Sequence, residues 1–166
     1  MLKIANILSS VADKIDHPNA SFCKKGQSWL WDEVRFEVLH PQQDDNLQGN
    51  NLSCVVRVSQ LNYPVLLTGD IEYQKEQRLV DGFWPGLQSN VLVAPHYDSR
   101  TSSLSTFIGM VQADYMIFPV DYRNHFGFPK EDIIERYHKR QIKTLDTTRS
   151  EAIEVYTSKK GMELSG

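Results

Sequence analysis

The chain has 166 residues, 40% of them apolar, with 18 Lys and Arg against 21 Asp and Glu and a formal net charge of −3. That length suits one domain, and that apolar share argues against a disordered chain. The acidic balance counts against a free-standing nucleic-acid binder, which shows a strongly basic face, but not against an enzyme that meets phosphate inside a cleft.

No run approaches the roughly 20 apolar residues needed to cross a bilayer. The start, MLKIANILSSVADKID, lacks the charged and apolar regions of a signal peptide. Taken alone, the sequence predicts a soluble chain made in the cytoplasm. There the two cysteines, Cys23 and Cys54, are expected to be free, small, buried residues, and their spacing fits no zinc motif.

Ile4, Ile7, Leu8, Val11 and Ile15 recur at helical spacing, which predicts a short amphipathic helix at the start. Residues 16–27 read as loop. In SWLWDEVRFEVLHP, Val34, Phe36 and Val38 alternate with Arg35 and Glu37, the period-two pattern of a strand. Asp32-Glu33 falls in a tight connection from SWLW. PQQDDNLQGNN is a polar loop. SCVVRVS, PVLLTG, NVLVAP and YMIFPV are short apolar runs that predict buried strands.

Three helical stretches follow or separate them: IEYQKEQRLVDGF, SLSTFIGMV and KEDIIERYHKRQ, the last with Ile133, Ile134 and Tyr137 on one face. KTLDTTRSEAIEVYT reads as two short strands around a polar turn. Residues 158–166, SKKGMELSG, read as a loose tail after a domain spanning 1–157. Strands first, then strand–helix alternation, predict an α/β (α+β) layered domain with a mixed sheet.

Three strand ends carry candidate chemistry. In LLTGDIE, Asp70 stands between a buried strand and a helix. It is either the helix cap, since Asp satisfies free N–H groups there, or a metal-bridging carboxylate at a strand end. His96 follows the strand NVLVAP directly and is either a satisfied structural histidine or a ligand. If the two strands are neighbours, Asp70 and His96 reach one sheet edge, where oxygen and imidazole ligands converge on a metal. After the next strand, DYRNHFGFP offers Arg123, Asn124 and His125, either as a loop leading into the helix near Pro129 or as a substrate-contacting loop. His17, His40 and His138 have no such placement.

In order along the chain stand ILSS, C-x-x-G-x-S-W-x-W over 23–31, WDEVRFEVLHP, NNLSCVVRV, VLLTGDIE with Glu76 after it, LVAPH with TSS beyond, YRN with FG and Pro129, and Arg136-Tyr137. With these motifs the chain resembles the C-terminal metallo-β-lactamase-like domain of the ComEC competence family, bacterial DNA-uptake channel proteins. The resemblance covers nearly the whole chain.

It implies an αββα sandwich of which this chain carries the second half. It implies two divalent metal ions, zinc or manganese, to which Asp70 and His96 contribute, and a metal-activated water that attacks a phosphodiester. Ser99, Arg123 and Asn124 would contact the substrate. The family's task is degradation of the DNA strand that is not imported, beside a membrane channel and outside the cytoplasm. In that compartment Cys23 and Cys54 would pair.

The departures are as specific. The family's H-x-[HD]-x-D-H motif, which supplies most of the metal ligands, stands nowhere in the sequence. PHYDS replaces PHHGS, so Tyr97 stands for a histidine and Asp98 for a glycine. In the next loop Asp121, His125 and Phe128 stand for Gly, Arg and His. Two protein ligands fall short of the three usual for catalytic zinc.

The expectation is therefore a truncated homologue, inactive and without stably bound metal when alone. Its partner would be the N-terminal half of the domain or a second copy. The alternatives are one half of a split metal-dependent phosphodiesterase, and a non-catalytic DNA-binding or channel-associated module.

Overall fold

The computed structural model describes residues 4–42, 49–83, 86–95, 105–120, 129, 131–148 and 152–166. Its centre is a seven-stranded sheet in strict chain order: β3 (Ser28–Trp31), β4 (Val34–His40), β5 (Val55–Gln60), β6 (Tyr63–Leu67), β7 (Val91–Val93), β8 (Tyr115–Phe118) and β9 (Lys143–Asp146). Pairing is antiparallel from β3 to β6 and parallel from β6 to β9. Parallel neighbours need crossovers. These contain α1 (Tyr73–Phe83), α2 (Ser105–Val111) and α3 (Glu131–His138).

The antiparallel part follows from local turn chemistry. Asp32 and Glu33 both adopt positive φ, 46° and 64°. Two such residues make the two-residue hairpin turn whose twist matches the flanking strands. The register it sets puts Trp29 opposite Phe36, and their rings stack with centroids 5.0 Å apart.

Alternation along the strands gives the sheet two unlike faces. Leu39, Val55, Leu66, Leu92, Met116 and Phe118 point to one side. There they form one buried cluster with Leu79 of α1, Phe107 and Ile108 of α2, and Ile133 and Tyr137 of α3. Burying a side chain of this size stabilises by about 1.5–3 kcal/mol, so this face holds the main core.

The opposite face carries Trp29, Trp31, Phe36, Val38, Val56, Val58 and Leu67. Trp31 is 69% exposed and Leu67 39%. Two small strand pairs lie toward this face. One is the parallel pair β1 (Ile7–Ser9) and β2 (Ala20–Phe22), the other the antiparallel pair β10 (Glu154–Ser158) and β11 (Gly161–Ser165). Between the first pair and the sheet runs an apolar slot of about 970 Å³, lined by Ile4, Leu8, Trp31, Phe36, Val58 and Leu67 among others. Thr157 of β10 donates to Gln60 Oε1 at 2.7 Å.

Four expectations are corrected. The opening segment is not an amphipathic helix but β1 followed by a 3₁₀ turn, Ala12–Lys14. Ile4, Leu8 and Val11 remain exposed, so a helix would bury no apolar stripe there. The backbone pairs instead with β2, inside the segment expected to be loop: Ile7 N–H donates to Asn19 O and Cys23 N–H to Ser9 O. Ser9 Oγ accepts the Val11 N–H, a local bond that competes with helix.

Second, β5 and β6 are largely half-buried, whereas Val91, Leu92, Met116 and Phe118 in β7 and β8 are buried. Helices cover only one face of the sheet. Third, β9 and β10 do not form a hairpin, because β9 joins the main sheet in parallel with β8. Fourth, the end of the chain is not a loose tail. Lys159-Lys160 turn it into β11, which pairs with β10 along five residues.

The cysteines are not free. Cys23, after β2, is joined to Cys54, before β5, with Cα atoms 6.0 Å apart. The bond fastens the small strand pair to the large sheet.

Candidate functional site

The parallel strands β6, β7 and β8 end along one edge, and the three candidate segments leave from it. Leu67 is in register with Val93, and Val93 with Ile117. Asp70 follows Leu67 by three positions, and His96 follows Val93 by three. His96, Tyr97, Asp98 and Ser99 lie outside the described residues, as do Asp121, Arg123, Asn124, His125 and Phe128. Of the candidate ligands, Asp70 has a described environment.

That environment is built from backbone. Thr68 is fully buried, and its hydroxyl donates to Val93 O at 2.7 Å, tying the end of β6 to the end of β7. Gly69 follows with φ +56°, in the left-handed region that favours glycine. A Cβ there would lie 2.8 Å from Ser53 Cβ, so the chain passes too close for any side chain. The Asp70 N–H then donates to Ser53 Oγ at 3.1 Å. Ile71, fully buried, drops into the core and fixes the turn from below.

The helix-cap reading of Asp70 is overturned. Helix α1 starts at Tyr73, and the carbonyl of Glu72 accepts from the N–H groups of Lys75 and Glu76. Glu72 thus holds the cap position, braced by Asn51. Asn51 Oδ1 accepts the Glu72 N–H at 3.3 Å, and Asn51 Nδ2 donates to Glu72 Oε2 at 3.3 Å. The Asp70 side chain is exposed, and among the described residues its carboxylate takes no hydrogen bond or ion pair. An unengaged carboxylate at a strand end is a hard oxygen donor and fits a divalent cation. Lys75 and Glu76 in the first turn of α1 are buried. Among the described residues no group of three or more His, Cys, Asp and Glu side chains stands together as a metal site.

The segment 49–54 is the part of the site that sequence reasoning missed. Asn51 and Ser53 stand in a polar stretch before a strand, and nothing local in that stretch says what it will touch. The segment is held from behind as well. His40, 2% exposed, has Nε2 2.9 Å from Asn51 O, and Ser53 N–H donates to Asn50 O.

No family model matches the chain. It is 33% identical over 143 residues, 86% of its length, to the uncharacterized protein YcaI of Escherichia coli. It is 35% identical over 137 residues, 82% of its length, to the competence protein ComA of Neisseria gonorrhoeae. It spans 19% and 20% of these relatives' own lengths. Among solved structures it is similar to a Thermotoga maritima protein of the metallo-β-lactamase superfamily, with a TM-score of 0.45 and 12% identity, covering 80% of this chain and 70% of that one. No helix among the described residues is long and apolar enough to cross a membrane.

Proposed function

The chain is homologous to one segment of the competence proteins of the ComEC family, and on that footing we propose that it serves bacterial DNA uptake as part of a metal-dependent phosphodiesterase-like domain. The observation that carries this reading is the 35% identity to a competence protein along 82% of the chain. The geometry around Asp70 supports it, because a carboxylate with free lone pairs stands at the edge from which three candidate loops leave.

In this reading Asp70 and His96 hold the metal, zinc or manganese, together with ligands from outside this chain. When bound, the metal supplies Lewis-acid polarisation of a phosphodiester and activation of a water. Arg123 and Asn124 neutralise and orient the phosphate, and Ser99 donates to it. Asp98 and Tyr97 work against tight phosphate and metal binding, so the chain alone is inactive. The apolar sheet face with Trp31, Phe36 and Leu67 supports a further layer that completes the sandwich. The site of action is beside a membrane channel, outside the cytoplasm.

The test is to prepare the chain alone, and also joined to the residues that precede the homologous segment in the Neisseria relative. Cleavage of single-stranded DNA is then followed with manganese or zinc. Cleavage is expected from the joined form and lost on Asp70→Ala. A joined form that folds, binds metal and leaves DNA intact would sink the nuclease reading. Cleavage by the chain alone would sink only its inactivity.

A further inference from the structure

We propose that Ser53 and Asn51, on a segment anchored by the Cys23–Cys54 disulfide, are positioning residues for the Asp70 carboxylate. The inference rests on the reading of Asp70 as a metal ligand given above.

A metal-binding carboxylate faces a conflict. Hydrogen bonds to its oxygens would fix its direction, but they would occupy the lone pairs that the cation needs. Here the direction is fixed through the main chain instead. The carboxylate is left unengaged, while the Asp70 N–H is held by Ser53 Oγ at 3.1 Å. Two residues on, Asn51 holds both the N–H and the side chain of Glu72, each at 3.3 Å. One residue back, Gly69 packs against Ser53 so closely that a Cβ would lie 2.8 Å from Ser53 Cβ. Segment 49–54 therefore grips the turn that carries Asp70 at three successive backbone positions after Thr68: 69, 70 and 72.

A grip is useful only if the gripping part is itself fixed. Segment 49–54 lacks regular pairing apart from its own 3₁₀ turn, Gly49–Leu52. Its far end is covalently tied, because Cys54 is bonded to Cys23. Its middle is held where the buried His40 meets Asn51 O at 2.9 Å. Ligand placement tolerates errors of about half an ångström before the site loosens. Loss of the Ser53 hydroxyl should therefore weaken metal contact while leaving every ligand in place.

Nuclear magnetic resonance on the full chain tests this with two readouts, amide exchange at Asp70 and paramagnetic broadening by Mn²⁺ alone. The wild-type chain is expected to show broadening at Asp70, abolished by Asp70→Asn. Ser53→Ala is expected to raise Asp70 amide exchange about two- to ten-fold, the worth of one hydrogen bond. It should also reduce broadening at the same Mn²⁺ concentration, and Ser53→Thr should restore both. Asn51→Ala provides a second variant should Ser53→Ala fold poorly. Broadening in wild type with neither readout changed in either variant overturns the positioning role alone. No broadening at Asp70 in wild type overturns the metal reading, and with it the ligand Ser53 would position.

Discussion

Ser53 and Gly69 share one small volume: the Ser53 Cβ stands 2.8 Å from where a Cβ on residue 69 would be. Gly69 also holds φ +56°. Gly69→Ala must therefore accept a left-handed conformation, costing about 1–2 kcal/mol, and push Ser53 aside. The variant is expected to lose about 2–3 kcal/mol in urea unfolding. A loss below about 0.5 kcal/mol, the usual size for an unconstrained surface site, would contradict this account of the turn.

The disulfide closes a loop with a sequence separation of 31. On a chain-entropy estimate, a loop of that size contributes about 3–4 kcal/mol. The double variant Cys23→Ser/Cys54→Ser is expected to shift the urea midpoint downward accordingly. Adding a reductant should move the wild type to the same midpoint and leave the variant where it is. Equal midpoints for oxidised and reduced wild type would refute a stabilising bond.

The apolar sheet face predicts that the chain alone binds a fluorescent apolar dye and associates as its concentration rises. Leu67, 39% exposed, lies on that face beside the slot. Leu67→Lys is expected to reduce dye binding and association, with a stability change of about 1 kcal/mol or less. Dye binding unchanged in the variant would put the accessible apolar surface elsewhere.

Tyr156 is the described group with a pH signature. Its hydroxyl donates to Glu154 Oε2, and that bond, followed by the negative charge of Glu154, raises its pKa above the ordinary 10.0. The protonated phenol is favoured in the folded state. Its contribution to the hairpin is therefore complete below the unfolded pKa and lost as pH rises through the folded value. Ultraviolet titration should find one tyrosine ionising late, and Glu154→Gln should bring it back toward 10. An unchanged titration in that variant would remove Glu154 as the cause.

Much of the large sheet was legible because its signals are local. The apolar runs around Val56, Leu66, Leu92 and Met116 became β5 to β8, and the periodic stretches around Leu79, Ile108 and Ile133 became helices. The ends were not. Strand β1 has three residues and finds its partner thirteen positions later, so Ile7 and Leu8 carried a helical spacing that no buried face supports. The closing hairpin did leave a signal, Val155 and Thr157 alternating to face Leu164 and Met162 around Gly161, but it is muted by Lys159, Lys160 and Glu163.

The edge that carries Asp70 was likewise legible from T-G-D after an apolar run. Its supports were not. Ser53 lies 17 residues from Asp70 and Asn51 lies 21 from Glu72, so those contacts exist only once the sheet has brought them together.

The same Cys23–Cys54 bond has a mechanical consequence. The whole β3–β4 hairpin lies inside the covalent ring it closes. A pull on the N-terminal side enters the sheet at Cys54, next to the interior strand β5, and passes the hairpin by. Roughly 100 Å of contour length, taken at ~3.3–3.6 Å per residue, stays hidden from such a pull. It is released only when the sulfur–sulfur bond is cut. A tether leading out from residue 23 would therefore load the middle of the sheet first, and the edge with the two stacked aromatics would go slack rather than peel.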